Sequence, residues 1–114
     1  MVVKVIFHID EMSKWSLLLK NVQNLTKVVD IKNSLIEILA NSEAVGFYAG
    51  SALNSDSILM QDLSRTGVLF VACNNALKGM GIQREMLPQF VEVVPVGVLE
   101  LIEKQSQGYA YIKP

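Results

Sequence analysis

The segment Val2 to Ile9, VVKVIFHI, constrains this chain more than any other. It is nearly continuously apolar and rich in β-branched residues. A strand of that kind is buried on both faces, as in parallel sheets. Two buried faces require helices on both sides. From Lys14 to Val29 the period changes: Trp15, Leu18, Val22, Leu25 and Val29 step by 3, 4, 3 and 4, which is one face of a helix. Ser13 is placed to cap it. At about 1.5 Å per helical residue and about 3.3 Å per strand residue, the two segments match in length. The helix can therefore pack back along the strand.

The alternation continues. Asn33 to Ala40 (NSLIEILA) reads as a second strand, and Asn41-Ser42 caps a short helix from Glu43 to Tyr48 that Gly50 stops. Ser55 or Asp56 opens a helix to Arg65, closed by Thr66-Gly67. Val68 to Ala72 (VLFVA) is a buried strand, followed at once by Cys73-Asn74-Asn75. Ala76 to Met80 and Gln83 to Leu87 are short helical turns, and Val91 to Val94 is a fourth strand. Pro95 fits the first position of a helix running to Gln107, with Val98, Leu99 and Ile102 as its expected buried face. Tyr109 to Ile112 makes a fifth strand. Strands alternating with helices give the α/β class: a mostly parallel five-stranded sheet, helices on both faces, right-handed crossovers. At 114 residues, one domain spanning 1–114 is expected.

Composition removes several function classes. Ten basic and eleven acidic residues give a net charge of −1, so no basic field exists to hold nucleic acid or an anionic membrane. A single cysteine cannot form an internal disulfide, and with a single histidine it cannot build a closed zinc site. No metal and no cofactor is implied. No run approaches the ~20 apolar residues of a membrane span, and the N-terminal run is too short and polar for a signal sequence. A soluble, cytoplasmic protein is expected. With 51% hydrophobic and only 18% charged residues, against about 25% charged in typical domains, a chain this short is expected to cover part of its surface with another subunit.

In open sheets of this class ligands collect outside the carboxyl ends of the strands. The residues expected there are His8, Asp10 and Glu11, then Asn41 and Ser42, then Cys73, Asn74 and Asn75, then Pro95 to Gly97, with Lys113 after the fifth strand. Asp10-Glu11 suits a phosphoacceptor domain, but that chemistry needs a carboxylate after the third strand, where Cys73 stands. The acidic, glycine-free Asp10-Glu11-Met12-Ser13 would repel a nucleotide phosphate. Gly79-Met80-Gly81 starts a G-x-G-x-x-G match that Arg84 breaks. No C-x-x-C is present, and a cysteine phosphatase would need arginine where Gly79 stands. What survives is a lone thiol, Cys73, at the end of a central strand. A helix starting over Asn74 to Lys78 would aim N–H groups at the sulfur and favour a thiolate or persulfide anion, with Lys78 adding positive charge. His8 is a candidate to orient or deprotonate a ligand. The competing readings are a buried, inert thiol and a hydrogen-bonded core histidine.

The opening VIFHIDE, the central VLFVACNNALKGMGI and the ending EKQSQGYAYIKP together resemble the DsrE/DsrF-like family, in its small YchN-like branch. The resemblance runs through most of the chain and is weakest from Asn41 to Gln61. It implies a three-layer α/β/α sandwich and a homo-oligomer, a trimer or hexamer. It also implies a sulfur carrier or sulfurtransferase-like role, in which a cysteine after a central strand takes persulfide sulfur from a protein donor and passes it to an acceptor. Cys73 matches that cysteine. The position five residues on, often arginine in the family, is Lys78 here. By this reading Cys73 and His8 carry the chemistry, and Asn74, Asn75, Lys78 and Gly97 cradle the anion. The alternative is a non-catalytic oligomeric module that binds a small anion or metabolite in a pocket ringed by His8, Asn41, Asn75 and Gly97, with Cys73 as an inert wall.

Overall fold

The computed structural model describes residues 1–50 and 52–114. Five strands form one sheet: β1 (Lys4–Ile9), β2 (Leu35–Ala40), β3 (Leu69–Cys73), β4 (Val91–Val94) and β5 (Ala110–Ile112). Their order is β4-β3-β2-β1-β5, and every pairing is parallel. Four α-helices connect them: α1 (Trp15–Thr26), α2 (Ser55–Thr66), α3 (Asn74–Gly79) and α4 (Gly97–Ser106). Short 3-10 turns cover Met12–Lys14, Ser42–Phe47 and Arg84–Met86.

The topology explains the layering. From β1 to β4 the chain steps across the sheet in one direction, so right-handed crossovers put α1, α2 and α3 on one face. The last connection returns from β4 to β5 at the opposite edge. With the same hand, α4 must lie on the other face, and among the described residues it is the one helix there. The two cores reflect this. A large one joins Val5, Phe7, Ile9, Ile36, Ile38 and Phe70 of the sheet to Trp15, Leu18, Val22, Leu63 and Leu77 of the helices. A small one joins Ile6, Leu39 and Val71 to Leu101 of α4.

Local chemistry sets the element ends. Asn54 caps α2 by accepting the Ser57 N–H, while the Ser57 hydroxyl accepts the Asn54 N–H. Gly67 takes φ +113° at its other end, a conformation side chains resist. The Val68 N–H bonds back to Leu63 O, so Val68 belongs to that turn. Strand β3 therefore starts at Leu69 and reaches Cys73, one residue later than the apolar run suggests. Helix α1 ends at Thr26, whose hydroxyl donates to Gln23 O, although Leu25 and Val29 still pack on the core. Trp15 is core: its Nε1–H donates to Ala44 O at 2.9 Å, and its ring stacks on Phe47.

The expectation for α4 is corrected. Val98, Leu99 and Ile102 are 58%, 49% and 57% exposed, and the helix buries Gly97 and Leu101 instead. Helical spacing identifies an apolar stripe but not the surface it meets. Here the stripe faces outward, and a narrow seam around Leu101 holds the helix to the sheet. Leu101→Ala is expected to cost about 2–3 kcal/mol in urea denaturation, the lower part of the range for buried leucine, because its site is small and near solvent.

Candidate functional site

Cys73 is the last residue of β3 and the N-cap of α3. Helix α3 leaves toward the large core, where Leu77 is buried. The neighbouring β4 feeds α4, which goes to the other face. Adjacent strands whose connections part to opposite faces define the switch-point crevice of an open α/β sheet. Cys73 and Gly97 are the two sides of that crevice.

They are in contact. The Gly97 N–H donates to Cys73 Sγ at 3.3 Å. A Cβ at Gly97 would lie 3.0 Å from Cys73 Cβ, 3.3 Å from Leu39 Cδ1 and 3.4 Å from Sγ. Only glycine allows so close an approach. The first amide of a ten-residue helix thus points at the sulfur, which is the environment that stabilises negative charge there. The same approach leaves Cys73 only 7% exposed.

The other expected residues are distributed around this contact. Asn74, Asn75 and Lys78 lie on α3, on the other side of the sheet from α4. Asn75 and Lys78 are exposed, and among the described residues the amide bonded to Sγ is Gly97's. Asn74 and Lys78 line a surface cavity of about 420 Å³ with Gln83 and Arg84. His8 faces the same side of the sheet as Cys73. It pairs with Leu39, which pairs with Val71, two residues before Cys73. Two strand spacings and two residues of rise put the two backbones roughly 12 Å apart. His8 Nε2 meets Asn41 Oδ1 at 2.9 Å, and Nδ1 meets the Tyr111 hydroxyl at 2.6 Å. Because Oδ1 only accepts, Nε2 is the donor of that pair, and Nδ1 shares its hydrogen bond with the Tyr111 hydroxyl. Asp10 is paired with Lys113 at 3.3 Å. Asn41, His8 and Tyr111 therefore form a polar row beside the crevice.

Sequence reasoning missed Tyr111 as a partner of His8, since the two are 103 residues apart. It also missed Glu37. This carboxyl is 2% exposed, and its Oε2 has no hydrogen-bond partner. Lys104 Nζ lies 3.8 Å from Glu37 Oε1 and 3.9 Å from Glu100 Oε2. Burial, then a hydrogen bond to Glu100 and the Glu100 charge, push the Glu37 carboxyl from an ordinary 4.5 up to about 8, with Lys104 opposing. Near neutral pH Glu37 therefore carries a proton that it can share with Glu100. Among the described residues no cluster of three or more His, Cys, Asp or Glu could hold a metal ion. None of the helices in the described residues is long and apolar enough to cross a membrane.

Comparison with known proteins bears on this arrangement. The sequence profile of the DsrE/DsrF-like family matches residues 54–114, which include Cys73, α4 and β5. The chain belongs to the DsrE/DsrF-like family. A solved structure from Methanobacterium thermoautotrophicum, MTH1491, a protein of unknown function, is 34% identical, with a TM-score of 0.87 over 98% of this chain and 99% of that one. The YchN protein of E. coli is 18% identical, with a TM-score of 0.79 over 100% of both chains, and shares the fold. A search of curated proteins gave no match.

The close approach at Gly97 generates a test. Gly97→Ala is expected to destabilise the protein by about 1–3 kcal/mol, the cost of overpacking a filled site, as read by thermal or urea unfolding. Gly79→Ala, where an added Cβ meets nothing within 4 Å, is the control and is expected to show no such loss.

Proposed function

We propose that this DsrE/DsrF-like protein is a sulfur carrier that relays persulfide sulfur through Cys73. The observation that supports it best is the Gly97 N–H donated to Sγ at the switch-point crevice, because an anionic sulfur is what that amide favours. In the first step the Cys73 thiolate attacks the outer sulfur of a donor persulfide. A bond forms between Sγ and that sulfur, the donor's S–S bond breaks, and the donor leaves as a thiolate with the electron pair. In the second step an acceptor nucleophile takes the outer sulfur, and Cys73 departs as a thiolate. Sulfur moves with no net oxidation or reduction. Since roughly 12 Å of backbone separates them, His8 would act on a donor or acceptor lying along the row, not on Sγ. Asn74, Asn75 and Lys78 would meet that partner at the rim. Such a relay is expected in the cytoplasm, between protein donors and acceptors.

A second reading rests on the burial of Cys73. At 7% exposure the thiol can equally be an inert wall of a crevice that binds a small anion. The two readings diverge in one experiment. The protein is incubated with a persulfide donor and digested, and the Cys73 peptide is weighed. The relay predicts a gain of one sulfur atom on Cys73 in the native protein and none in Cys73→Ser. An unmodified Cys73 at full donor excess would leave only the binding module.

The exposed stripe Val98, Leu99 and Ile102 supports assembly with further copies of this chain, as a trimer or hexamer. Light scattering at micromolar concentration is expected to give a multiple of the chain mass, reduced by Leu99→Asp. A monomer mass for the unaltered protein would refute assembly.

A further inference from the structure

Opening Cys73 requires moving α4, because the Gly97 backbone covers the sulfur. Among the described residues helix α4 has no helical neighbour on its face of the sheet, and three contacts hold its inner side. At one end Gly97 lies on Cys73 and Leu39. In the middle Leu101 enters the small core. On either side of Leu101 along the helix, Glu100 and Lys104 close over Glu37.

We propose that the Glu37, Glu100 and Lys104 cluster beneath α4 is a proton-operated latch that sets how far Cys73 is open to reaction partners. The inference concerns access to the thiol and stands apart from what the thiol carries. Its basis is a mismatch: one ammonium faces two carboxyls in a buried seam. With a proton on Glu37 the cluster is neutral overall, and the two carboxyls share that proton. Without it, an uncompensated negative charge is buried under the helix, a situation proteins relieve by admitting water. A cavity of about 60 Å³ lined by Glu37, Leu35, Gly67, Leu69 and Tyr109 lies beside the cluster. Lifting α4 hydrates the charge and, at the first residue of the same helix, withdraws the Gly97 amide from Sγ.

The remaining charged and titratable neighbours do not cancel the mismatch. Glu92 of β4 adds to the repulsion. Lys4 of β1 donates to Gln107 O and lies 5.3 Å from the Tyr109 ring centroid, and Lys104 is the cation that acts on the Glu37 carboxyl. Lys104 also sits over that ring, at 5.5 Å. On the opposite side of the sheet the Tyr48 hydroxyl is committed to Val71 O.

The direction with pH follows from the raised value. A carboxyl near 8 in the closed form and near 4.5 when hydrated makes the closed form bind the extra proton between those limits. The closed form is favoured most below about 4.5 and loses that advantage as pH rises to about 8, where the loss levels off.

The test follows hydrogen exchange of α4 amides and alkylation of Cys73 in the full chain, at about pH 7 and about pH 9. After correction for the intrinsic exchange rate, protection of the α4 amides is expected to fall about tenfold across that interval. It is also expected to stay below that of the β1 and β2 amides. The ratio of alkylation rates, native over Glu37→Gln, is expected to rise about tenfold, since the ratio cancels the thiol's own ionisation. If Glu37→Gln does not fold, Glu100→Gln replaces it, and the pH step is expected to shrink because the like charge is gone. Protection in α4 equal to that in the central strands would mean that the helix leaves only on global unfolding. That result, or a step unchanged by either substitution, overturns the latch.

Discussion

The handedness of parallel crossovers governs this molecule. Three successive connections step one way across the sheet and the fourth steps back, so a single rule of chirality assigns α1, α2 and α3 to one face and α4 to the other. Everything of functional interest descends from that reversal. It creates the parting of connections between β3 and β4 where Cys73 and Gly97 meet. It leaves α4 without helical neighbours, so the helix is held by a glycine, a leucine and a cluster of charges. It also makes one face of the sheet thinly covered and the other thickly packed.

Much of this was legible in the sequence. The doubly buried strand at Val2 to Ile9, the helical stripe from Trp15, and the buried run ending at Cys73 carry strong periodicities because the large core is continuous and unforgiving. Cys73 and Gly97 were found as occupants of strand ends, which is a topological inference and needs no side-chain detail. What failed was assigning faces where cover is partial. In α4 the apolar stripe Val98, Leu99, Ile102 looked inward by pattern, yet the sheet meets Leu101. In β2 the acid in LIEILA fits an alternation that normally turns a polar residue to water. The alternate face of this strand meets a helix instead, and only the Glu100 and Lys104 pair on that helix, four residues apart, could have signalled a partner for Glu37.

The sulfur and the histidine share a face without touching. A parallel sheet spaces its strand ends at fixed intervals, so residues on β1 and β3 remain about two strand widths apart whatever their side chains do. Chemistry that used both would have to run along the row through a bound partner. That distinguishes this site from a nucleophile and base in mutual hydrogen-bond contact, and the group that meets Sγ is the Gly97 N–H of α4.

The hydrogen bond between His8 and Tyr111 joins residues 103 positions apart, and β5 pairs with β1 across almost the same interval. On a ribosome, β1 emerges long before β5 exists, and contacts of such sequence separation are the slowest to form. The layer of α1, α2 and α3 can condense on β1, β2, β3 and β4 while α4 and β5 are still being made. Because α4 carries Gly97 and β5 carries Tyr111, both polar arrangements at the carboxyl edge come together only as the chain closes. A nascent chain would hold its cysteine uncovered until the final helix docks.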